Sequence, residues 1–113
     1  MTFKKIKEKK VLFFELRGNS LLRFPLWLAK AFLENRNVEF IFWSEEKISN
    51  NVKEKINSEL NTNSKFIVSG FPAISTYKNK LNVLEPDLVV VFAHRLPDMT
   101  ILNAANQLGI QTV

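Results

Sequence analysis

The chain has 113 residues, a single histidine and no cysteine, so few of its groups move protons near neutral pH. That histidine, His94, stands at the end of an apolar run, residues 88–93, with Arg95 beside it. An imidazole so placed can serve as a general base or hydrogen-bond donor toward a hydroxyl or phosphate, with Arg95 as the anion contact. The position equally suits a loop histidine bonded to backbone. A second polar break, Arg17-Gly18-Asn19-Ser20, follows another apolar run, residues 11–16. Within that run Glu15 reads as a structural partner of Arg17 or Arg95 rather than as a catalytic acid. Trp27 and Trp43 fall on elements expected to be core, and burial is expected of both.

Other chemistry is excluded by composition. Three glycines form neither GxGxxG nor GxxxxGK[ST], so both phosphate cradles are missing from the sequence. No GxSxG elbow follows a strand-like run. One histidine without cysteine or clustered acids offers no metal site, and no cofactor is implied. The third apolar run ends at Ser69-Gly70, without the aspartate of a phosphoacceptor.

These loops need elements to hold them. Residues 11–16, 38–43, 65–68 and 88–93 are short apolar runs of the kind buried on both faces of a parallel sheet, and Ile110 opens a fifth. Between them lie helical patterns. Ser20 is read as the N-cap of the first, with Leu21, Leu22, Phe24, Leu26, Leu28, Ala29, Phe32 and Leu33 as a wide apolar face and Pro25 early. Ser44 is read as the cap of the second, whose stripe is Ile48, Val52, Ile56 and Leu60. Ile74, Tyr77, Leu81 and Leu84 mark the third, stopped by Pro86. Pro97 and Asp98 open the fourth, and Gly109 closes it.

The alternation βαβαβαβαβ predicts a three-layer α/β Rossmann-like sandwich on a parallel sheet of about five strands. Right-handed crossovers give the order 3-2-1-4-5, with the switch point between strands one and four. Ligands in such sheets bind at the carboxyl ends flanking the switch. The loops Arg17-Gly18-Asn19-Ser20 and His94-Arg95-Leu96-Pro97 should therefore line one crevice, with Gly70 and Phe71 farther off.

Hydrophobic residues make up 46% and charged residues 24% of the chain, the balance of a globular domain. No apolar run approaches a membrane span and no secretory signal is evident, so a cytoplasmic location is expected. Residues 1–10 carry five lysines against Glu8, most of the net charge of +5. That places the basicity on an N-terminal arm rather than on a folded nucleic-acid face. The arm is read as a solvated terminus, or as a weak peripheral contact with anionic lipid headgroups.

Three segments together resemble the N-terminal domain of GT-B-fold glycosyltransferases. The first strand, glycine loop and RFPLWLAKAFLENRNVEFIF resemble that family's glycine loop followed by LAxxLxxxGHEV, through Arg23, Leu28, Ala29, Leu33 and Val38. LEPDLVVVFAH resembles its KPDVVxxH strand, and AANQLGIQTV its AAxxxGIPxV. The departures are a single glycine, Gly18, where many members have two, Asn19 and Ser20 where several have Gly or His, and Gln111-Thr112 in place of a proline. The resemblance implies a domain, residues 11–113, that binds a glycan or lipid-linked acceptor, with Gly18, Asn19, Ser20 and Arg95 facing the acceptor and cleft; His94, the candidate catalytic residue by its position, would face the same cleft. It implies a nucleotide-sugar donor held by a C-terminal half outside this sequence, and hence that Val113 is an internal boundary and that the 113 residues alone are inactive. The chain is also similar to non-hydrolysing UDP-N-acetylglucosamine 2-epimerases, although Ala93-His94 replaces their Gly-Asp pair. A stand-alone Rossmann-like binding module is the third expectation.

Overall fold

The computed structural model describes residues 9–32, 38–69, 74–92 and 96–113. Five parallel strands run β1 Lys9–Glu15, β2 Val38–Ser44, β3 Lys65–Val68, β4 Leu88–Val91 and β5 Gln111–Thr112. Helices α1 Phe24–Ala31, α2 Asn50–Leu60, α3 Ile74–Leu84 and α4 Leu96–Gln107 connect them. The sheet order is β3-β2-β1-β4-β5, as the alternation predicts.

The apolar runs are explained by burial on both faces. Successive strand residues point to opposite sides. Val11 and Phe13 of β1, Phe40 and Phe42 of β2 and Val90 of β4 pack with Leu26 and Ala29 of α1 and with Val52, Ile56 and Leu60 of α2. Leu12 and Phe14, Ile41 and Trp43, and Val89 pack on the other side with Tyr77 and Leu81 of α3 and Ile101, Ala104 and Ala105 of α4. A strand that alternated polar and apolar residues could not satisfy both layers. Gly109 takes φ +73° after α4, the left-handed exit read from the sequence.

Four expectations are corrected. β1 begins at Lys9, so the last two residues of the expected arm belong to the sheet. The Lys10 amide donates to Asp87 Oδ2 (2.8 Å) and its Nζ to the Leu84 carbonyl (3.2 Å). Ser20 does not cap α1. It lies inside a 3-10 helix, Gly18–Leu22, and Arg23 occupies the cap position with Pro25 in the first turn. Ser44 does not cap α2 either, because Ser49 does, accepting from the Val52 amide at 3.2 Å. Trp43 is buried, but Trp27 is 75% exposed. Pro25, Leu26 and Ala29 are the buried residues of α1. Trp27, one residue and about 100° past Leu26, then turns outward.

Candidate functional site

Ser44 ends β2 opposite Glu15, the last residue of β1. Its hydroxyl donates to the Leu16 carbonyl (3.1 Å) and accepts from the Glu46 amide (3.2 Å). The Glu46 amide also reaches the Leu16 carbonyl (3.1 Å), and the Ser69 amide donates to the Ser44 carbonyl (3.1 Å). The chain segments leaving β1, β2 and β3 are thus tied together at the carboxyl edge by one serine and its neighbours. A serine spent on these bonds is not available as a helix cap, which is why α2 starts later.

The 3-10 helix fits against this knot only because residue 18 is glycine. A Cβ there would lie 2.3 Å from the Lys47 carbonyl oxygen and 3.0 Å from the Ile48 Cα. Ile48 is buried beneath. The two loops enclose a cavity of about 470 Å³ lined by Arg17, Gly18, Asn19, Ser20, Arg23, Glu46 and Lys47. Arg17, Arg23 and Lys47 are exposed, and among the described residues no ion pair engages any of them. Three cations against the single carboxylate of Glu46 favour an anion. Guanidinium groups suit the planar recognition of phosphate or carboxylate oxygens.

Of the five residues expected to form the site, Gly18, Asn19 and Ser20 come together in this cavity. His94 and Arg95 lie outside the described residues, as do Gly70 and Phe71. Glu46 and Lys47 were not foreseen, because residues 45–47 read as a first helical turn. Topology holds the missed signal: β2 neighbours β1, so the loop after β2 must share the carboxyl edge with the loop after β1.

Deeper at the same edge, Glu15, Glu45 and Asp98 are buried. The Tyr77 hydroxyl donates to Glu45 Oε1. Burial first, then the bond to Glu45 and the charges of Glu45 and Asp98, raise the Tyr77 phenol far above its ordinary pKa of 10.0. The Tyr77–Glu45 bond ties α3 to the segment that leaves β2. Among the described residues, no cluster of three or more His, Asp or Glu suits a metal ion, and no helix is long and apolar enough to cross a membrane.

No protein-family model matches the sequence, and no characterised protein matches it by sequence either. Solved structures do match in fold. A UDP-glucose-4-epimerase from Stenotrophomonas maltophila, with bound NAD and formylated UDP-arabinopyranose, aligns over 92% of this chain and 35% of its own, at 15% identity and TM-score 0.63. A putative UDP-N-acetylglucosamine 2-epimerase from Listeria monocytogenes aligns over 95% and 31%, at 7% identity and TM-score 0.63. The C-terminal domain of the PF1911 hydrogenase from Pyrococcus furiosus aligns over 100% and 97%, at 18% identity and TM-score 0.61. The chain is therefore similar to Rossmann-like domains, and it spans about a third of the two epimerases.

Proposed function

We propose that the chain forms the acceptor-side Rossmann-like domain of a sugar-nucleotide enzyme, and that the enzyme is a glycosyltransferase. The observation that carries this reading is the meeting of Arg17, Arg23 and Lys47 with the Gly18, Asn19 and Ser20 backbone at the carboxyl edge of the sheet. Ligands of open α/β sheets bind at that edge. The proposed ligand group is a pyrophosphate, common to nucleotide sugars and lipid-linked acceptors. Gly18 lets backbone approach closely and the cations hold the phosphates, while His94 and Arg95 are assigned the catalytic and anion-contact roles from their place in the sequence alone. Donor binding is assigned to a further domain, with transfer to a glycan or lipid-linked acceptor.

A 2-epimerase domain is the second reading, favoured by the fold likeness to the Listeria enzyme. The two part chemically. An epimerase inverts one sugar carbon of UDP-N-acetylglucosamine without any acceptor, whereas a transferase consumes its donor only when an acceptor is present. In both readings the 113 residues alone turn nothing over.

The test is an amide NMR titration of the chain with UDP, a soluble stand-in for the pyrophosphate of a lipid-linked acceptor, and with uridine. UDP is expected to shift the amides of Gly18, Asn19, Ser20 and Lys47, while uridine, lacking phosphate, leaves them in place. Equal shifts from both, or shifts confined to other edges of the sheet, would overturn the proposal.

A further inference from the structure

Beside the cationic cavity lies a second one, of about 430 Å³, with no charged side chain in its wall: Phe24, Trp27, Leu28, Ala31 and Phe92. Trp27 is 75% and Phe24 61% exposed. They are not loose. Phe24 stacks on Phe92 (6.3 Å, 18°), and Phe92 stacks on Phe13 of the core (6.3 Å, 17°). An aromatic column thus runs from the sheet to the surface and presents two large apolar side chains to solvent, on the helix that also carries the cavity's rim.

Exposed aromatic patches of this kind mark contact surfaces, and the charge around this one limits what the contact is. Arg23 directly precedes Phe24 and lines the cationic cavity, with Arg17 and Lys47 behind it. Among the described residues, the carboxylates nearby are Glu46, in that cavity, and Glu59, which is paired with Lys30 of α1 at 2.6 Å. On its Arg23 side the patch is therefore bordered by positive charge that no described ion pair neutralises. Tryptophan and phenylalanine settle at the boundary of headgroups and acyl chains, while arginine seeks lipid phosphates. We infer that the outer face of α1 docks on an anionic lipid surface, with Trp27 and Phe24 inserted and Arg23 on the phosphates. This docking rests on the apolar face, and shares only Arg23 with the proposed pyrophosphate site.

The chain supplies its own probe. It has two tryptophans, and Trp43 is fully buried with its indole N–H bonded to Ser69 Oγ (2.7 Å). Emission changes on lipid binding therefore report Trp27. The full chain is mixed with vesicles of phosphatidylcholine alone and of phosphatidylcholine with phosphatidylglycerol, and emission and cosedimentation are followed. The expected result is a blue shift and cosedimentation with the anionic vesicles only, weakened by salt. Phe24→Ser should lower partitioning about tenfold or more, from the apolar area lost, and Trp27→Ser should abolish cosedimentation likewise. Both variants replace exposed side chains, and an unchanged circular dichroism spectrum checks their fold. Neither should alter the UDP shifts described above, so the two proposals fail separately.

Three results would overturn the inference. One is no blue shift on anionic vesicles. Another is binding that survives Phe24→Ser but vanishes when Lys4, Lys5 and Lys7 are changed to Gln, which assigns the contact to the N-terminal arm. The third is a blue shift on concentrating the protein without lipid, together with a dimeric mass, which assigns the face to a second copy.

Discussion

Gly18 sits so close to the backbone of Lys47 that the two loops of the cationic cavity touch without a side chain between them; a Cβ at residue 18 would come within 2.3 Å of the Lys47 carbonyl oxygen. The obstacle is backbone, not the end of a flexible side chain, so it cannot swing away. Gly18→Ala should therefore destabilise the fold by about 1–3 kcal/mol, the usual cost of overpacking. A lower midpoint in urea unfolding, with unchanged slope, checks this. The same substitution should pry the 17–20 loop from residues 46–47 and weaken anion binding more than stability alone explains.

Tyr77 is the only tyrosine in the chain and is 1% exposed, so its titration can be read without interference. Its phenol is raised above 10.0 by burial and by Glu45. The folded state then holds a proton that the unfolded state releases above pH about 10. Stability is intact below that value and falls as pH rises beyond it, by up to about 1.4 kcal/mol per unit. Absorbance of tyrosinate should appear only together with unfolding, and Tyr77→Phe should flatten the alkaline slope. A tyrosinate signal near pH 10 in folded protein would contradict the buried arrangement.

Ser69 Oγ accepts the Trp43 indole N–H at 2.7 Å. Ser69→Ala leaves that buried donor unsatisfied, which should cost about 1–3 kcal/mol. Thermal unfolding measures it, and a double variant with Trp43→Phe should recover part of the hydrogen-bond loss, because no donor is then stranded.

Glu85 follows α3 with φ +50°, in the left-handed region, although it is not glycine. Its amide still bonds the Leu81 carbonyl at 2.9 Å, and its side chain is exposed. The left-handed conformation costs an ordinary residue about 1–2 kcal/mol, of which glycine's extra unfolded-state entropy takes back a part. Glu85→Gly should therefore raise stability by about 0.5–1 kcal/mol, and Glu85→Val should lower it.

The sheet was readable because each strand is buried on both faces, which leaves an unbroken apolar run such as Val11 to Phe14. Strand order followed from right-handed crossovers. Loop and cap chemistry was less readable. Ser44 and Ser49 are both credible caps by type, and only the tertiary bonds of Ser44 to Leu16 and Glu46 decide between them. Trp27 was misplaced because it was assigned to the core by residue type, although it lies off the Leu26 and Ala29 stripe that packs on the sheet. That Gly18, Asn19 and Ser20 share the carboxyl edge of the sheet followed from topology. Lys47 was missed because its place in the cavity depends on where α2 begins.

The most direct measurement is calorimetric titration of the chain with inorganic pyrophosphate, beside a variant carrying Arg17→Ala, Arg23→Ala and Lys47→Ala. All three side chains are exposed, so the variant should fold. Saturable binding to the wild-type chain, weakened about tenfold or more in the variant as charge-assisted bonds are lost, is the expected result. Equal heats for both proteins, or none for either, would contradict a phosphate site at the carboxyl edge of β1 and β2.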